Sequence, residues 1–226
     1  MRVLLVALLS FSTLVSTHGG EWAQAAKLVA ADGAADDNFG YSFSVSGSTV
    51  AVGARGDDDA GASTGSAYVF EKSGDGTWAQ AAKLAAADAA AGDQFGVSVS
   101  VSGSTVVVGA LLDDDAGSAS GSAYVFEKSD DGTWAQVAKL AAVDGAAEDQ
   151  YGYSVSVSGS TVVVGAHVDD DAGDNSGSGY IWMLSIPSLR PCTCCERSMK
   201  SMGFTVGAED CDPEATPDDL DFQSSR

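Results

Sequence analysis

The chain has 226 residues, with 32 Asp and Glu against 11 Lys and Arg and a formal charge of -21 at pH 7. That balance excludes a nucleic-acid binder, because neutralising phosphates takes clustered Lys and Arg. Hydrophobic residues make up 45% and charged residues only 19%, too apolar for a disordered chain, and 27 Gly point to many turns.

Met1-Arg2 opens the chain, and an apolar run extends from Val3 to Leu9 and on through Phe11, Leu14 and Val15. The run reads as a secretory signal peptide over residues 1–18, too short to span a bilayer, with cleavage between Ser16 and Gly20. No later apolar stretch reaches 18 residues. The expectation is a secreted or cell-surface chain with no membrane span after processing.

From residue 21 to 184 the sequence repeats. Trp22, Trp78 and Trp134 stand 56 residues apart, and WAQAAKL at 22–28 returns at 78–84 and as WAQVAKL at 134–140. SVSGSTV, DDDAG and GSAYVFEKS recur in step, the last decaying to GSGYIWM at 177–183. The first two units share 43 of 56 positions, which points to recent duplication. A period this long predicts a solenoid, propeller or array.

Each unit carries four strand signals. Strand A (41–46, 97–102, 153–158) alternates apolar residues with Ser and leads into a Ser-Gly-Ser hairpin. The serines read as outward pleat positions, not nucleophiles, because every copy has them. Strand B, 105–110 (TVVVGA), is a β-branched run expected to be buried on both faces. Strand C is the aromatic-rich 123–127, and strand D is 134–140, with Trp134, Gln136, Ala138 and Leu140 expected on one face. Four short strands per unit describe the blade of a β-propeller. The fold class is therefore all-β: an array of three four-stranded antiparallel blades. The third blade reads A-B-C, and a lone D segment stands at 22–28.

Phe39-Gly40, Phe95-Gly96 and Tyr151-Gly152 open each strand A; Gly53-Ala54, Gly109-Ala110 and Gly165-Ala166 close each strand B. On these residues the chain resembles the FG-GAP repeat of integrin α-subunit propellers. Two features depart from the pattern. Arg55, Leu111 and His167 replace the Pro of Gly-Ala-Pro, and the calcium loop that joins strands A and B in integrin-type repeats is replaced by Ser-Gly-Ser. The family's metal ligands therefore have no counterparts here. The resemblance implies adhesion, or protein or glycan recognition, through one propeller face.

In a meandering blade the B-to-C and D-to-A loops emerge on the same face. Eighteen of the 32 acids fall there, among them Asp57, Asp58 and Asp59, then Asp113, Asp114 and Asp115, then Asp169, Asp170 and Asp171. Clustered carboxylates in Gly-rich loops suit Ca²⁺, which takes six to eight oxygens. The competing reading is a solvated, self-repelling face that keeps the protein dispersed. Arg55-Gly56-Asp57 spells a cell-adhesion tripeptide, but its equivalents Leu111-Leu112-Asp113 and His167-Val168-Asp169 mark it as drift of a variable pair before an invariant Asp. His167 lies beside the third acidic triplet as a candidate metal or proton group. The repeats hold no nucleophile-base pair, phosphate loop or zinc pattern, so an enzyme is not expected, with a propeller hydrolase the residual alternative.

Residues 185–226 form an acidic tail with all four prolines and all four cysteines: Cys192, Cys194, Cys195 and Cys211. In an exported chain an even count suggests disulfides, with Cys194 or Cys195 bonded to Cys211; C-x-C-C without His fits zinc poorly. Three blades are few for a closed ring, which usually has four to eight. An open array, two chains exchanging D strands in a six-bladed homodimer, or a shortened descendant of a longer propeller each accommodate the count. The functional expectation is a binding or adhesion-type protein acting through its acidic loop face. A structural or envelope repeat protein without a specific ligand is the alternative.

Overall fold

The computed structural model describes residues 22–184. The signal segment and all four cysteines lie outside these residues. Eleven strands form three antiparallel sheets, each a meander in chain order. The first blade holds β1 (Phe39–Ser46), β2 (Thr49–Ala54), β3 (Ser66–Lys72) and β4 (Trp78–Leu84). The second holds β5 (Ser98–Ser102), β6 (Thr105–Ala110), β7 (Ser122–Lys128) and β8 (Trp134–Leu140). The third has β9 (Tyr151–Ser158), β10 (Thr161–Ala166) and β11 (Ser178–Met183), with β11 at its edge. The predicted A, B, C and D strands thus appear in order. Residues 22–28 join no sheet, and Trp22 is fully exposed.

Strand pleating gives each blade two apolar faces. In the second blade Val106, Val108, Tyr124 and Phe126 pack with Ala51, Ala67 and Val69 of the first blade. Val107, Ala123 and Val125 lie on its other face and pack with Tyr151, Val157, Val162 and Val164 of the third. Strand B is buried on both faces in the second blade, as its β-branched run predicts. Among the described residues the stack is open at both ends. Phe43 and Val45 on the outer face of the first blade are 76% and 66% exposed, whereas their equivalents Val99 and Val101 are buried. Val163 and Ile181 on the outer face of the third are 39% and 70% exposed, whereas Val107, the equivalent of Val163, is fully buried.

This packing corrects two sequence expectations. The strand-A serines do not face solvent in the first two blades; they link one blade to the next. Ser42 and Ser98 hydroxyls donate to the Gly96 and Gly152 carbonyls at 2.8 and 2.7 Å. Ser44 and Ser46 accept from the Val101 and Gly103 amides, and Ser100 and Ser102 accept from Val157 and Gly159. An inner strand paired on only one side leaves amides on its free edge, and the serines satisfy them. Strand D, in turn, does not alternate strictly. β8 pairs Val125 with Ala138 but Phe126 with Gln136, so Val137 bulges; Ala81 does the same in β4. A bulge swaps the faces taken by all later residues of its strand. Trp134 therefore packs with the core between blades one and two, while Leu140 packs between two and three.

The glycines of the repeat mark where blades touch. A Cβ on Gly53 would lie 2.0 Å from the Gly96 carbonyl oxygen, and one on Gly109 would lie 1.9 Å from that of Gly152. Gly96 and Gly152 both adopt a φ of +90°, which favours glycine. The Gly-Ala end of strand B and the Phe-Gly start of the next strand A are thus two sides of one backbone contact. Gly109→Ala must open that contact and is expected to cost about 2–4 kcal/mol in urea denaturation. Gly74→Ala, with nothing within 4 Å of the added Cβ, is expected to stay within about 0.5 kcal/mol. Equal midpoints for the two variants would show that the contact does not constrain the stack.

Candidate functional site

The loops after strands B and D meet at one end of the stack, as the meander requires. Gly56 N–H donates to the Asp37 carbonyl, and Gly92 and Gln94 amides donate to the Ala62 and Ser63 carbonyls. Each B-to-C loop folds around the first Asp of its triplet. The Asp57, Asp113 and Asp169 carbonyls accept from Gly65, Gly121 and Gly177 amides at 2.8–2.9 Å, closing the loops. Oδ1 of each accepts from the amide two residues on, that of Asp59, Asp115 or Asp171. This is the local turn that Asp favours. Oδ2 accepts from the hydroxyl of Tyr68, Tyr124 or Tyr180 in strand C at 2.8 Å. All three first aspartates are only 3% exposed.

A lysine completes this node in the first two blades. Lys83 Nζ lies 2.9 Å from Asp57, 2.6 Å from Asp59 and 2.8 Å from Asp32. Lys139 Nζ meets Asp88 at 2.7 Å, Asp113 at 3.0 Å and Asp115. The bulges at Ala81 and Val137 turn these lysines to the same side as Tyr68 and Tyr124, whose rings they overlie at 5.3 and 5.1 Å. Burial works against both ammonium charges, but the surrounding carboxylates outweigh it and hold both lysines well above the usual range. Burial likewise opposes the Asp57 charge, and its bonds from Lys83 and Tyr68 still keep its carboxyl below the usual range. Burial, then the bond to Asp57, raises the Tyr68 hydroxyl, which stays a neutral donor.

The third blade has the carboxylates without the lysine. Tyr180 lowers Asp169, but Asp169 and Asp144 push the exposed Asp171 up by repulsion. Among the described residues no ammonium stands between Asp144, Asp169 and Asp171. The expected triplets therefore divide by position. Asp57, Asp113 and Asp169 are buried loop anchors; Asp59, Asp115 and Asp171 stand at the rim; Asp58, Asp114 and Asp170 face solvent. Oxygens of Asp88, Asp113 and Asp115 lie within 4.8 Å of one another, a donor set that suits a hard cation. In this chain Lys139 already stands among them.

The other candidate groups are separate from this node. The Arg55 guanidinium lies over the Tyr41 ring at 3.9 Å and donates to Gln94 at 3.3 Å, while the Asp57 carboxylate of the same tripeptide is buried against Tyr68 and Lys83. His167 stacks on Tyr153 at 3.8 Å. Sequence reading missed the lysines and tyrosines. The signal was present, since Lys27, Lys83 and Lys139 recur at the same place in every WAQxAKL, but nothing in the strand pattern showed the bulge that turns them inward.

Lys139→Met leaves the buried Asp113 without a countercharge and is expected to cost about 1–3 kcal/mol; Tyr124→Phe removes one hydrogen bond and should cost about 1 kcal/mol. Denaturation midpoints of the two variants check this. Acid acts on the same node. The carboxyls of Asp32, Asp57 and Asp88 titrate in the folded chain below the ordinary 3.8, so their contribution is present above about 3.8 and is lost as pH falls through the lowered values. Asp93, raised by burial, and Asp171 run the other way. Near-UV circular dichroism is expected to show the blades loosening below about pH 4. An unchanged signal down to about pH 2 would contradict the node's role.

Residues 22–70, 78–126 and 134–182 each match the FG-GAP repeat family. The three stretches are in phase with the 56-residue period and together cover more than half of the chain. No curated protein matches it. The paired Gly-Ala and Phe-Gly contacts between blades are the structural form of the motif that gives the family its name, and the chain belongs to the FG-GAP repeat family.

Proposed function

We propose that this chain is an exported binding protein, not an enzyme, that recognises a protein or glycan through its acidic loop face. The observation that carries the reading is the construction of that face. Each loop is anchored by a buried Asp, and each presents solvent-facing carboxylates such as Asp58, Asp114 and Asp170 on a rigid frame. Binding residues commonly sit on loops positioned by a scaffold in this way. A depression on this face is lined by Glu148, Asp149, Asp170, Asp174 and Asn175. FG-GAP repeats occur in extracellular and surface proteins, which supports export; no described helix is long and apolar enough to cross a membrane.

Calcium dependence has weaker support, because lysines already neutralise the first two carboxylate clusters. A structural repeat protein without a ligand is the second reading, favoured by the same self-neutralisation. Glycan and protein arrays probed with the chain, with Ca²⁺ and with chelator, separate the readings. Specific retention that Asp58→Asn/Asp114→Asn/Asp170→Asn weakens at least about tenfold supports recognition through this face. No retention on either array overturns it. Calorimetric titration of Ca²⁺ into the chelated protein tests the metal separately: no heat and no thermal shift at millimolar Ca²⁺ removes it.

A further inference from the structure

The two ends of the stack are complementary in detail. Residues 22–28 carry the outer-strand sequence WAQAAKL but belong to no sheet, while among the described residues the third blade ends at β11 with no strand on that edge. The chain just after 22–28 already sits where an outer strand's continuation sits. Leu28 and Ala30 pack on the first blade as Leu84 and Ala86 pack on the second, Ala31 N–H donates to Gln80 as Ala87 donates to Gln136, and Asp32 binds Lys83 as Asp88 binds Lys139. Leu28 to Asp32 thus take the positions that follow an outer strand, while 22–27 are exposed.

The third blade offers two positions that such a strand fits. An apolar groove runs between it and the second blade, lined by Val125, Ala138, Leu140, Val162 and Trp182. These are the period-shifted equivalents of Val69, Ala82, Leu84, Val106 and Phe126, the core on which Trp134 packs. In that register Trp22 enters the groove. Lys27 then meets Asp144, Asp169 and Asp171, the one cluster without an ammonium among the described residues. The outer face also fits. Gly165 meets no neighbouring blade where Gly53 and Gly109 do, and Gly40, the equivalent of Gly96 and Gly152, has nothing within 4 Å of an added Cβ. Ser154, Ser156 and Ser158 are exposed where their equivalents link blades.

We propose that a second copy of this chain docks head to tail, its residues 22–28 adding to β11 and its first blade covering the third. A reciprocal pair then makes a six-bladed ring, within the four to eight blades of closed propellers. The chain's own later residues offer a poorer strand. In the same register, 190–196 reads RPCTCCE, with neither the Trp nor the Lys, and Pro191 removes a ladder donor. This inference is independent of the ligand proposed above.

Sedimentation of the full chain is expected to give the mass of two chains at micromolar concentration, with the amides of 22–28 protected from hydrogen exchange. Lys27→Glu is expected to raise the dissociation constant at least about tenfold, and adding Asp171→Lys to restore pairing. Both positions are exposed, so the variants should fold, which far-UV circular dichroism checks. A single-chain mass overturns the proposal, whether 22–28 is protected or not. A ladder of larger assemblies overturns it too, as does a dimer whose affinity Lys27→Glu leaves unchanged.

Discussion

The stack depends on a backbone contact that only glycine allows. Where strand B of one blade ends and strand A of the next begins, the two chains pass so closely that a single methyl group at Gly53 or Gly109 would overlap a carbonyl oxygen. That approach sets the separation of blades and lets the serine hydroxyls of one strand A reach the amides of the next. It also sets the small residues Ala51 and Ala67 against Tyr124 and Phe126 of the second blade, and Val107 against Tyr151 of the third. The motif recurs because each blade needs both halves of the contact, one half for each neighbour.

The acidic loops are a consequence of this frame. Tyr68 and Tyr124 are fixed in strand C with their hydroxyls at the loop end, and a buried hydroxyl there requires an acceptor. The first Asp of each triplet supplies it, and a buried carboxylate then requires compensation, which the lysine of strand D provides. Three elements distant in sequence are tied by one node. The acidic charge is partly neutralised where it is most concentrated, and among the described residues the uncompensated part lies at loop tips and on the third blade.

The period, the four strands, their order and the side on which the acids emerge were all legible in the sequence, because repetition marks each turn three times and a meander leaves one arrangement of its loops. The role of the individual acids was not. Asp57, Asp58 and Asp59 look alike in sequence, and what separates them is a tyrosine eleven residues on and a lysine made inward-facing by one bulged residue. The bulge leaves no mark, since Ala81 and Val137 are ordinary strand residues. The strand-A serines were misread for a related reason. Alternation shows that they share a face but not that another blade covers it.

The sequence period and the structural blade are out of phase. A repeat that begins at Trp22 runs D-A-B-C, whereas a blade is A-B-C-D, so each covalent unit supplies the outer strand of one blade and the inner three of the next. Copying such a unit produces blades stitched across every repeat boundary, which ties neighbours by the chain as well as by packing. Unless the ends meet, it also leaves one outer strand at the start and one three-stranded sheet at the end, as among the described residues here. Among the described residues, Trp22 at full exposure and Asp171, raised by its carboxylate neighbours, are the two ends of that offset, one apolar and one charged.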